Sequence, residues 1–578
     1  MTDPGRIVMY KGIAASRGIG IGSVIRITEH DLSFEKRTVS DTGAETERFH
    51  KAIDDFANDT LAMADEIGQR IGSREAEILR GHAVMIRDPA MSGEMDKLIA
   101  TGQCAETALT SVCDMFIGMF SGLDDEMMRQ RVLDIADVKT GILKKLLGID
   151  EADIRNLPEG TVIVCRDITP SMISQIDKTN ISGIVTETGG KTSHTAILAR
   201  ALEIPAVLSV QGIVDTVSSG DKIIVDGAEG EVYVAPEPDV LSEYILKREE
   251  YIRQQAELKK YIGKASVTAD GTKVELFCNI GTPQDAKKAL ECDGEGIGLF
   301  RSEFLFMDND HLPSEEEQFE AYKKAVETMD GRTVIIRTLD IGGDKEIAYL
   351  KMYKEDNPFL GFRAIRYSLG NEEIFRTQLR AIIRAGAFGR VKIMIPLVTT
   401  VDEIRKTKET VSQIKRELAE EGTAYGEDVE VGCMIETASA SLIADLLAGE
   451  ADFFSIGTND LTQYTMSVDR GNPDVAYLYS HFQPAVLRSV RNIIEAGNRA
   501  GIPVGMCGEA AADPLMIPLL ISFGLSEYSV NPVQVLSVRS VLSKWTKADA
   551  DKLAEKVMSY ATESEIVNAL KEAQATRQ

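Results

Sequence analysis

Between residues 274 and 530 the chain alternates between short runs rich in β-branched and aromatic residues and longer stretches of helical periodicity. The runs are Val274–Ile280, Ile297–Arg301, Val334–Leu339, Val391–Leu397, Val429–Ile435, Phe453–Ile456, Pro503–Met506 and Tyr528–Val530. This repetition constrains the fold more than any other feature. Parallel strands need a crossover between them, usually a helix. Eight strand–helix units in succession predict a closed (β/α)8 barrel of the TIM type. Catalytic groups in such barrels gather at the C-terminal strand ends. Polar residues are therefore expected just after these runs.

They are found there. The second run ends in Arg301-Ser302-Glu303, and the third carries Arg337 into Asp340-Ile341-Gly342-Gly343-Asp344-Lys345. The fifth ends in Glu436-Thr437, the sixth in Gly457-Thr458-Asn459-Asp460 with Arg470 soon after, and the seventh in Cys507-Gly508-Glu509. Arginine offers a planar fork of donors that suits phosphate and carboxylate oxygens. Two carboxylates on adjacent strand ends, Glu436 and Asp460, suit one Mg²⁺ that also touches substrate oxygens. A single barrel arginine is an ordinary structural ion pair. Several cations, two carboxylates and a thiol on one rim carry more weight together.

Upstream the texture differs. Residues 1–33 contain the Gly-punctuated apolar run Gly12-Ile13-Ala14-Ala15-Ser16-Arg17-Gly18-Ile19-Gly20-Ile21-Gly22, read as turn and strand. Residues 34–145 are helical in pattern, with Phe49, Ile53, Phe56, Met63 and Ile67 at helical spacing. Glu75–Ile86, Pro89–Ile99 and Glu106–Met119 continue that pattern. Residues 146–235 return to strand-like runs at Val162–Cys165, Gly183–Val185, Ala206–Leu208 and Lys222–Val225. The chain is thus expected to be multidomain α/β. A small α/β domain (1–33 and 146–235) carries an inserted all-helical domain (34–145), and a linker helix (236–262) leads to the barrel domain (263–578).

Inside the small domain lies Gly189-Gly190-Lys191-Thr192-Ser193-His194, followed by Thr195-Ala196-Ile197-Leu198-Ala199-Arg200. The apolar spacing after the histidine predicts a short helix, with His194 at its N-terminus. Free N–H groups there attract anions such as phosphate. The same positive end favours neutral imidazole, the nucleophilic form. His194 therefore reads as a phosphoryl acceptor, the alternative being a packing histidine that happens to precede a helix.

The formal net charge of −27 argues against nucleic acid and anionic membrane as partners. No apolar run is long enough to span a bilayer, and Met-Thr-Asp-Pro-Gly-Arg-Ile lacks a signal-peptide core. Seven scattered cysteines, 104, 113, 165, 278, 292, 433 and 507, show no metal-ligand spacing. A cytoplasmic location with free thiols, most of them in the core, is expected. Asp41, Glu45, Glu47, Asp54, Asp55, Asp59, Asp65 and Glu66 make the first helix acidic. That face suits either a basic partner or plain solvation.

The segment Gly189–Ala196 resembles the phosphohistidine motif of enzymes that swivel a histidine between phosphoenolpyruvate (PEP) and an acceptor. Gly296–Phe306, Ile336–Lys345, Asn357–Gly361, Phe453–Tyr464, Val468–Asn472 and Gly505–Glu509 resemble the same group. Order and length agree across nearly the whole chain, and the most specific resemblance is to enzyme I of the bacterial sugar phosphotransferase system. The resemblance implies that His194 is phosphorylated on Nε2. It implies Arg301 and Arg337 on the PEP phosphate, Asn459 and the Asp460 backbone on substrate, and Arg470 as a further clamp. Glu436 and Asp460 would bind Mg²⁺, and Cys507 would protonate the methylene carbon to give pyruvate. Lys345 and Arg363 would add to the positive rim. The helical insertion would dock the phosphocarrier protein HPr. The barrel would form a homodimer, for which the sequence adds only ample apolar segments such as Leu515–Leu525. His194 would have to visit both barrel and carrier by a swing of its domain.

Departures from the pattern are few. Glu187 stands in place of Asp, Lys191 in place of Arg and Arg17 in place of Pro. Lys191 keeps a charge but loses the bidentate fork. The Tyr477–Pro484 segment also differs, and its His481 reads as structural; His82 reads as structural or docking rather than catalytic. PEP synthase and pyruvate phosphate dikinase share the histidine and the barrel. They need a nucleotide-binding domain, for which this chain has neither room nor a Walker-type loop. A catalytically dead PEP sensor is opposed by retention of His194, the arginines, both carboxylates and Cys507. A nitrogen-branch enzyme would carry an extra N-terminal sensory domain.

Overall fold

The computed structural model of the protein describes residues 8–27, 32–70, 80–81, 83–87, 89–121, 126–149, 157–168, 179–190, 194–307, 309, 311–342, 347–350, 352–353, 355–472 and 474–577. The chain divides into two compact units, residues 1–255 and 256–578.

The first unit is built on one mixed sheet. Its strands are β1 (Val8–Lys11), β2 (Ile13–Ser16), β3 (Ile19–Ile27), β4 (Thr161–Cys165), β5 (Ile181–Thr186), β6 (Ala206–Leu208), β7 (Lys222–Asp226) and β8 (Glu231–Val234). They run in the order β1-β8-β7-β3-β4-β5-β6-β2. The central set β3 to β6 is parallel, with antiparallel neighbours on both sides. A parallel sheet covered on both faces needs strands that are apolar throughout. Accordingly every residue of β4 is buried, Ile163 and Cys165 on one core and Val162 and Val164 on the other. The glycines of β3 allow close approach: a Cβ on Gly22 would lie 2.0 Å from the Gly160 carbonyl oxygen.

Between β3 and β4 come the helices Thr42–Arg70, Pro89–Ala100, Ala105–Ser121 and Glu126–Leu147. Phe49 and Ile53 enter their shared core, with Phe56 packed against it. The side chains of Met63 and Ile67, residues 75–79 and His82 lie outside the described residues. One acidic residue of the first helix is not part of a solvated face. Glu45 is buried, accepts from the Ala105 N–H at 2.9 Å and pairs with Arg48 at 2.7 Å. Arg48 also reaches Glu106 at 2.8 Å and the Leu146 carbonyl at 3.1 Å, so one guanidinium ties three helices together. The sequence places this glutamate among surface charges because periodicity reads one helix at a time.

The second unit is a closed barrel of eight parallel strands. They are β9 (Glu275–Ile280), β10 (Gly296–Arg301), β11 (Val334–Arg337), β12 (Val391–Ile395), β13 (Glu430–Ile435), β14 (Phe454–Ile456), β15 (Val504–Met506) and β16 (Glu527–Val530). All eight predicted runs are strands. The fourth ends two residues before its apolar run does, because Leu397 turns to φ +55° and donates its N–H to Glu436. Outward residues such as Phe454, Ile456 and Met506 join the core against the helices. Inward ones, among them Phe277, Leu299, Ile335, Met394 and Met434, fill the barrel together with Cys507. The apolar stretch Leu515–Leu525 packs into the barrel's own shell. Ile517, Leu519 and Leu520 are fully buried in the chain's own core, and the exposed apolar side chains include Leu442 and Leu446 instead.

Candidate active site

The barrel's C-terminal rim brings the predicted side chains together. Arg301 and Arg337 are the last residues of β10 and β11 and partner one another in register. Glu436 follows β13, Asp460 lies in the first turn of the helix Thr458–Met466 after β14, and Cys507 follows β15. Arg470 Nη1 lies 3.1 Å from Asp460 Oδ1. The Asn459 side chain accepts from the Glu509 N–H at 3.2 Å, tying the sixth strand end to the seventh.

Three further charged residues complete the cluster. Arg337 pairs with Glu303 and, at 3.0 Å, with Asp340. Arg363 bridges Asp340 at 2.8 Å and Asp460 at 3.5 Å. Burial opposes the charge on Arg337 and Arg363. Glu303 and Asp340 around the first, and Asp340 and Asp460 around the second, nevertheless hold both guanidiniums above their ordinary pKa. Burial, then Asp460 and Asp340, push the Glu436 carboxyl up to about 8. Glu436 keeps one strong partner, the Leu397 N–H at 2.7 Å.

The buried atoms without hydrogen-bond partners among the described residues are informative. Arg337 Nε and Arg363 Nε lack acceptors, Glu303 Oε2 lacks a donor, and Asp460 Oδ1 has its ion pair with Arg470 but no well-aligned hydrogen bond. Free buried donors suit an oxyanion, and free carboxylate oxygens suit a hard cation. Gly457 leaves the space that Glu436 occupies: a Cβ there would lie 2.6 Å from Glu436 Oε2. Four guanidiniums face four carboxylates in this cluster. An anionic substrate therefore brings excess negative charge that a divalent cation would offset. No group of three or more His, Cys, Asp or Glu side chains arranged to hold a metal occurs among the described residues. Any cation here would depend on one or two carboxylates plus substrate oxygens, as Mg²⁺ commonly does.

Cys507 is 5% exposed, and burial pushes its thiol up to about 11. Its carbonyl accepts from Asn279 Nδ2 at 3.1 Å, and Ser529 Oγ fixes that amide by donating to Asn279 Oδ1 at 2.7 Å. Behind the arginines, Gln378 Nε2 donates to Ser302 Oγ at 3.0 Å, and Ser302 Oγ donates to the Arg337 carbonyl at 2.6 Å. Sequence reasoning missed Asn279, Ser529 and Gln378. A polar residue at an inward position of an apolar strand, as in Phe277-Cys278-Asn279, was the available signal.

In the first unit the helix His194–Ala201 begins at the predicted histidine. Gly189 has φ +100°, a conformation that favours glycine, and its carbonyl accepts from Ser209 Oγ at 2.5 Å. Glu187 Oε1 accepts from the Val214 N–H at 3.1 Å, which gives that departure a structural task. Lys191, Ser193, Lys345 and the His194 side chain lie outside the described residues. Of the other histidines, His481 pairs with Asp513 at 3.0 Å and stacks on Phe482. His50 pairs with Asp96 and His311 with Glu317, each at 3.0 Å. Six of the cysteines are buried, and Cys292 is half-buried.

Barrel and sheet together define a PEP-utilising enzyme. Residues 11–131 match the family described as PEP-utilising enzyme, N-terminal, residues 157–230 its mobile domain and residues 255–547 its PEP-binding domain. Among curated relatives, the phosphoenolpyruvate-protein phosphotransferase of Bacillus subtilis (strain 168) is 44% identical over 97% of this chain and 99% of its own length. Those of Geobacillus stearothermophilus and Priestia megaterium are 45% and 43% identical, each over 97% of this chain and over 97% and 98% of their own lengths. The chain belongs to the phosphoenolpyruvate-protein phosphotransferase family, enzyme I of the phosphotransferase system. No helix among the described residues is long and apolar enough to cross a membrane.

Proposed function

We propose that this protein takes the phosphoryl group of PEP onto His194 and passes it to the phosphocarrier HPr, releasing pyruvate, as the first step of sugar uptake by the phosphotransferase system. The observation that carries this reading is the meeting of Arg301, Arg337, Glu436, Asp460 and Cys507 on one barrel rim. Arg301 and Arg337 hold the PEP phosphate, with the free Arg337 Nε as a ready donor. Arg470 and Asn459 orient the remainder of the substrate, and Asp460 contributes its backbone. Glu436 and Asp460 would hold Mg²⁺, which would supply charge neutralisation at the phosphate and the developing enolate.

His194 Nε2 attacks phosphorus in line with the bridging oxygen. The helix N-terminus at which His194 sits favours the neutral ring that this attack requires. The enolate left behind takes the Cys507 proton on its methylene carbon and becomes pyruvate. Positioning and charge neutralisation, rather than covalent help from the rim, carry most of the rate in phosphoryl transfer.

The division into 1–33 with 146–235, 34–145, 236–262 and 263–578 belongs to this reading, as do HPr docking on the helical insertion, a homodimer through the barrel and a cytoplasmic location. The test is incubation with radiolabelled PEP and Mg²⁺, with His194→Ala as control. Acid-labile, alkali-stable label on the wild type alone, discharged on adding HPr, is expected. Label that stays on the enzyme would overturn the acceptor. No label with PEP still bound would overturn the reaction.

A further inference from the structure

The protonation of the enolate leaves a charge that the rim residues named so far do not directly receive. When Cys507 gives up its proton, the S–H bond breaks and the enolate π pair forms the new C–H bond. The former S–H pair stays on sulfur as a buried thiolate, and water later restores the proton. No oxidant or reductant takes part. A thiolate 5% exposed needs a hydrogen-bond donor. Among the described residues the thiol's own hydrogen bond goes to the Ile456 carbonyl, at 3.8 Å, and a carbonyl cannot donate to a thiolate. The charged groups that act on it are Arg337 and Arg301, which favour the thiolate, and Glu436, which opposes it.

The strand register supplies a donor. Phe454 and Ile456 face the outer core, so Ser455 between them faces the barrel interior. On the neighbouring strand Val504 and Met506 face outward, so Gly505 and Cys507 face inward. Ser455 pairs with Gly505, which has no side chain, so the next inward side chain along β15 is Cys507. Ser455 is 1% exposed, and its hydroxyl has no hydrogen-bond partner among the described residues. No well-aligned bond to Cys507 is formed, yet the hydroxyl favours the thiolate form of that side chain.

We propose that Ser455 is a positioning residue for the protonation step, its hydroxyl donating to Cys507 Sγ as the thiol passes its proton to the enolate. This rests on the reading of Cys507 as the acid. Before transfer the sulfur is neutral and a weak acceptor; during transfer it carries a growing negative charge. The hydroxyl therefore stabilises the transition state more than the ground state.

The experiment is rapid-quench single turnover of the full chain with PEP and Mg²⁺, following phosphohistidine and keto-pyruvate separately. In the wild type the two appear together. In Ser455→Ala, keto-pyruvate is expected to trail phosphohistidine by about tenfold in rate, with a solvent deuterium isotope effect on the trailing step. Ser455→Thr, which keeps the hydroxyl, is expected to restore coincidence. Coincident products in Ser455→Ala, or an equal lag in Ser455→Thr, would overturn the proposal. Cys507→Ala run alongside separates the two readings. A lag there without one in Ser455→Ala sinks only the role of Ser455. Coincidence in Cys507→Ala sinks the thiol as acid and the proposal with it. Alkylation of Cys278 and Cys433, both buried outside the site, reports whether the barrel fold is intact in each variant.

Discussion

Asp340 Oδ2 lies 3.0 Å from Arg337 Nη1, and both side chains are buried at the end of β11. Arg301, its register partner on β10, is exposed. The two arginines proposed to hold the same phosphate thus stand in different surroundings, and this separates their effects. Removing one partner of a buried ion pair leaves an uncompensated charge, at a cost of about 3–5 kcal/mol. Arg337→Met strands Glu303 and leaves Asp340 to Arg363 alone, and is expected to destabilise the barrel by that amount. Arg301→Met is expected to stay within about 0.5 kcal/mol of wild type. Both should lose PEP turnover. Denaturant unfolding followed by Trp545, the single tryptophan and buried in the barrel unit, measures the contrast. Equal destabilisation would contradict it.

Gly457 has φ −85°, so alanine there strains no backbone. The added methyl would instead meet Glu436 at 2.6 Å from Oε2 and 2.9 Å from Cβ. Gly457→Ala should displace that carboxylate and weaken the Mg²⁺ requirement's apparent affinity by about tenfold or more, roughly the loss of one charged ligand contact. A Mg²⁺ titration of PEP-dependent labelling checks this. An unchanged midpoint would mean that Glu436 does not serve the cation.

The barrel was legible because strand runs and rim residues recur in chain order. Arg301, Arg337, Glu436, Asp460 and Cys507 each follow or end a strand, and one rule about barrels assembles them. The residues that hold them were not legible. Gln378 lies on the helix Glu372–Ala385, far in sequence from the Ser302 that it orients, and its partner geometry exists only in the folded barrel. Asp340 was visible as a motif member, but its bridging of Arg337 and Arg363 depends on where the chain after β11 turns. Leu515–Leu525 was legible as apolar, but apolar content alone does not say which surface a segment covers. Its helix Ile517–Phe523 is consumed by the barrel's own shell.

Glu45 offers a test in the helical block. Its carboxylate caps the N–H of Ala105 and pairs with Arg48, whose hydrogen bond holds the Glu45 pKa below its ordinary value. Glu45→Ala should cost about 1–3 kcal/mol at neutral pH, by orphaning a buried N–H and one side of a guanidinium. A lowered carboxylate pKa gives stability that is present above the unfolded value and lost as pH falls through the folded one. The gap between wild type and variant should therefore narrow in acid. Hydrogen exchange of the Ala105–Ser121 amides measures it, and a gap independent of pH would refute the charge argument.

Glu527 shifts in the opposite direction and reverses the sign. It sits at the start of β16 inside the barrel, with Oε1 lacking a partner among the described residues. Cβ atoms on Gly298 and Gly505 would lie 2.6 and 2.9 Å from that oxygen, so both glycines make room for the group. Burial, then the nearby Glu275, raise its pKa from 4.5 to about 8, against the pull of Lys392. Between those values the folded barrel keeps a proton that the unfolded chain releases. Stability should therefore fall as pH rises across this window and level off beyond it. Glu527→Gln removes the titrating group, so its stability should decline less over the same range, by up to about 5 kcal/mol relative to wild type. Trp545 fluorescence in denaturant, taken at several pH values, gives both slopes. Parallel slopes would show that Glu527 ionises in the folded barrel as readily as in the unfolded chain.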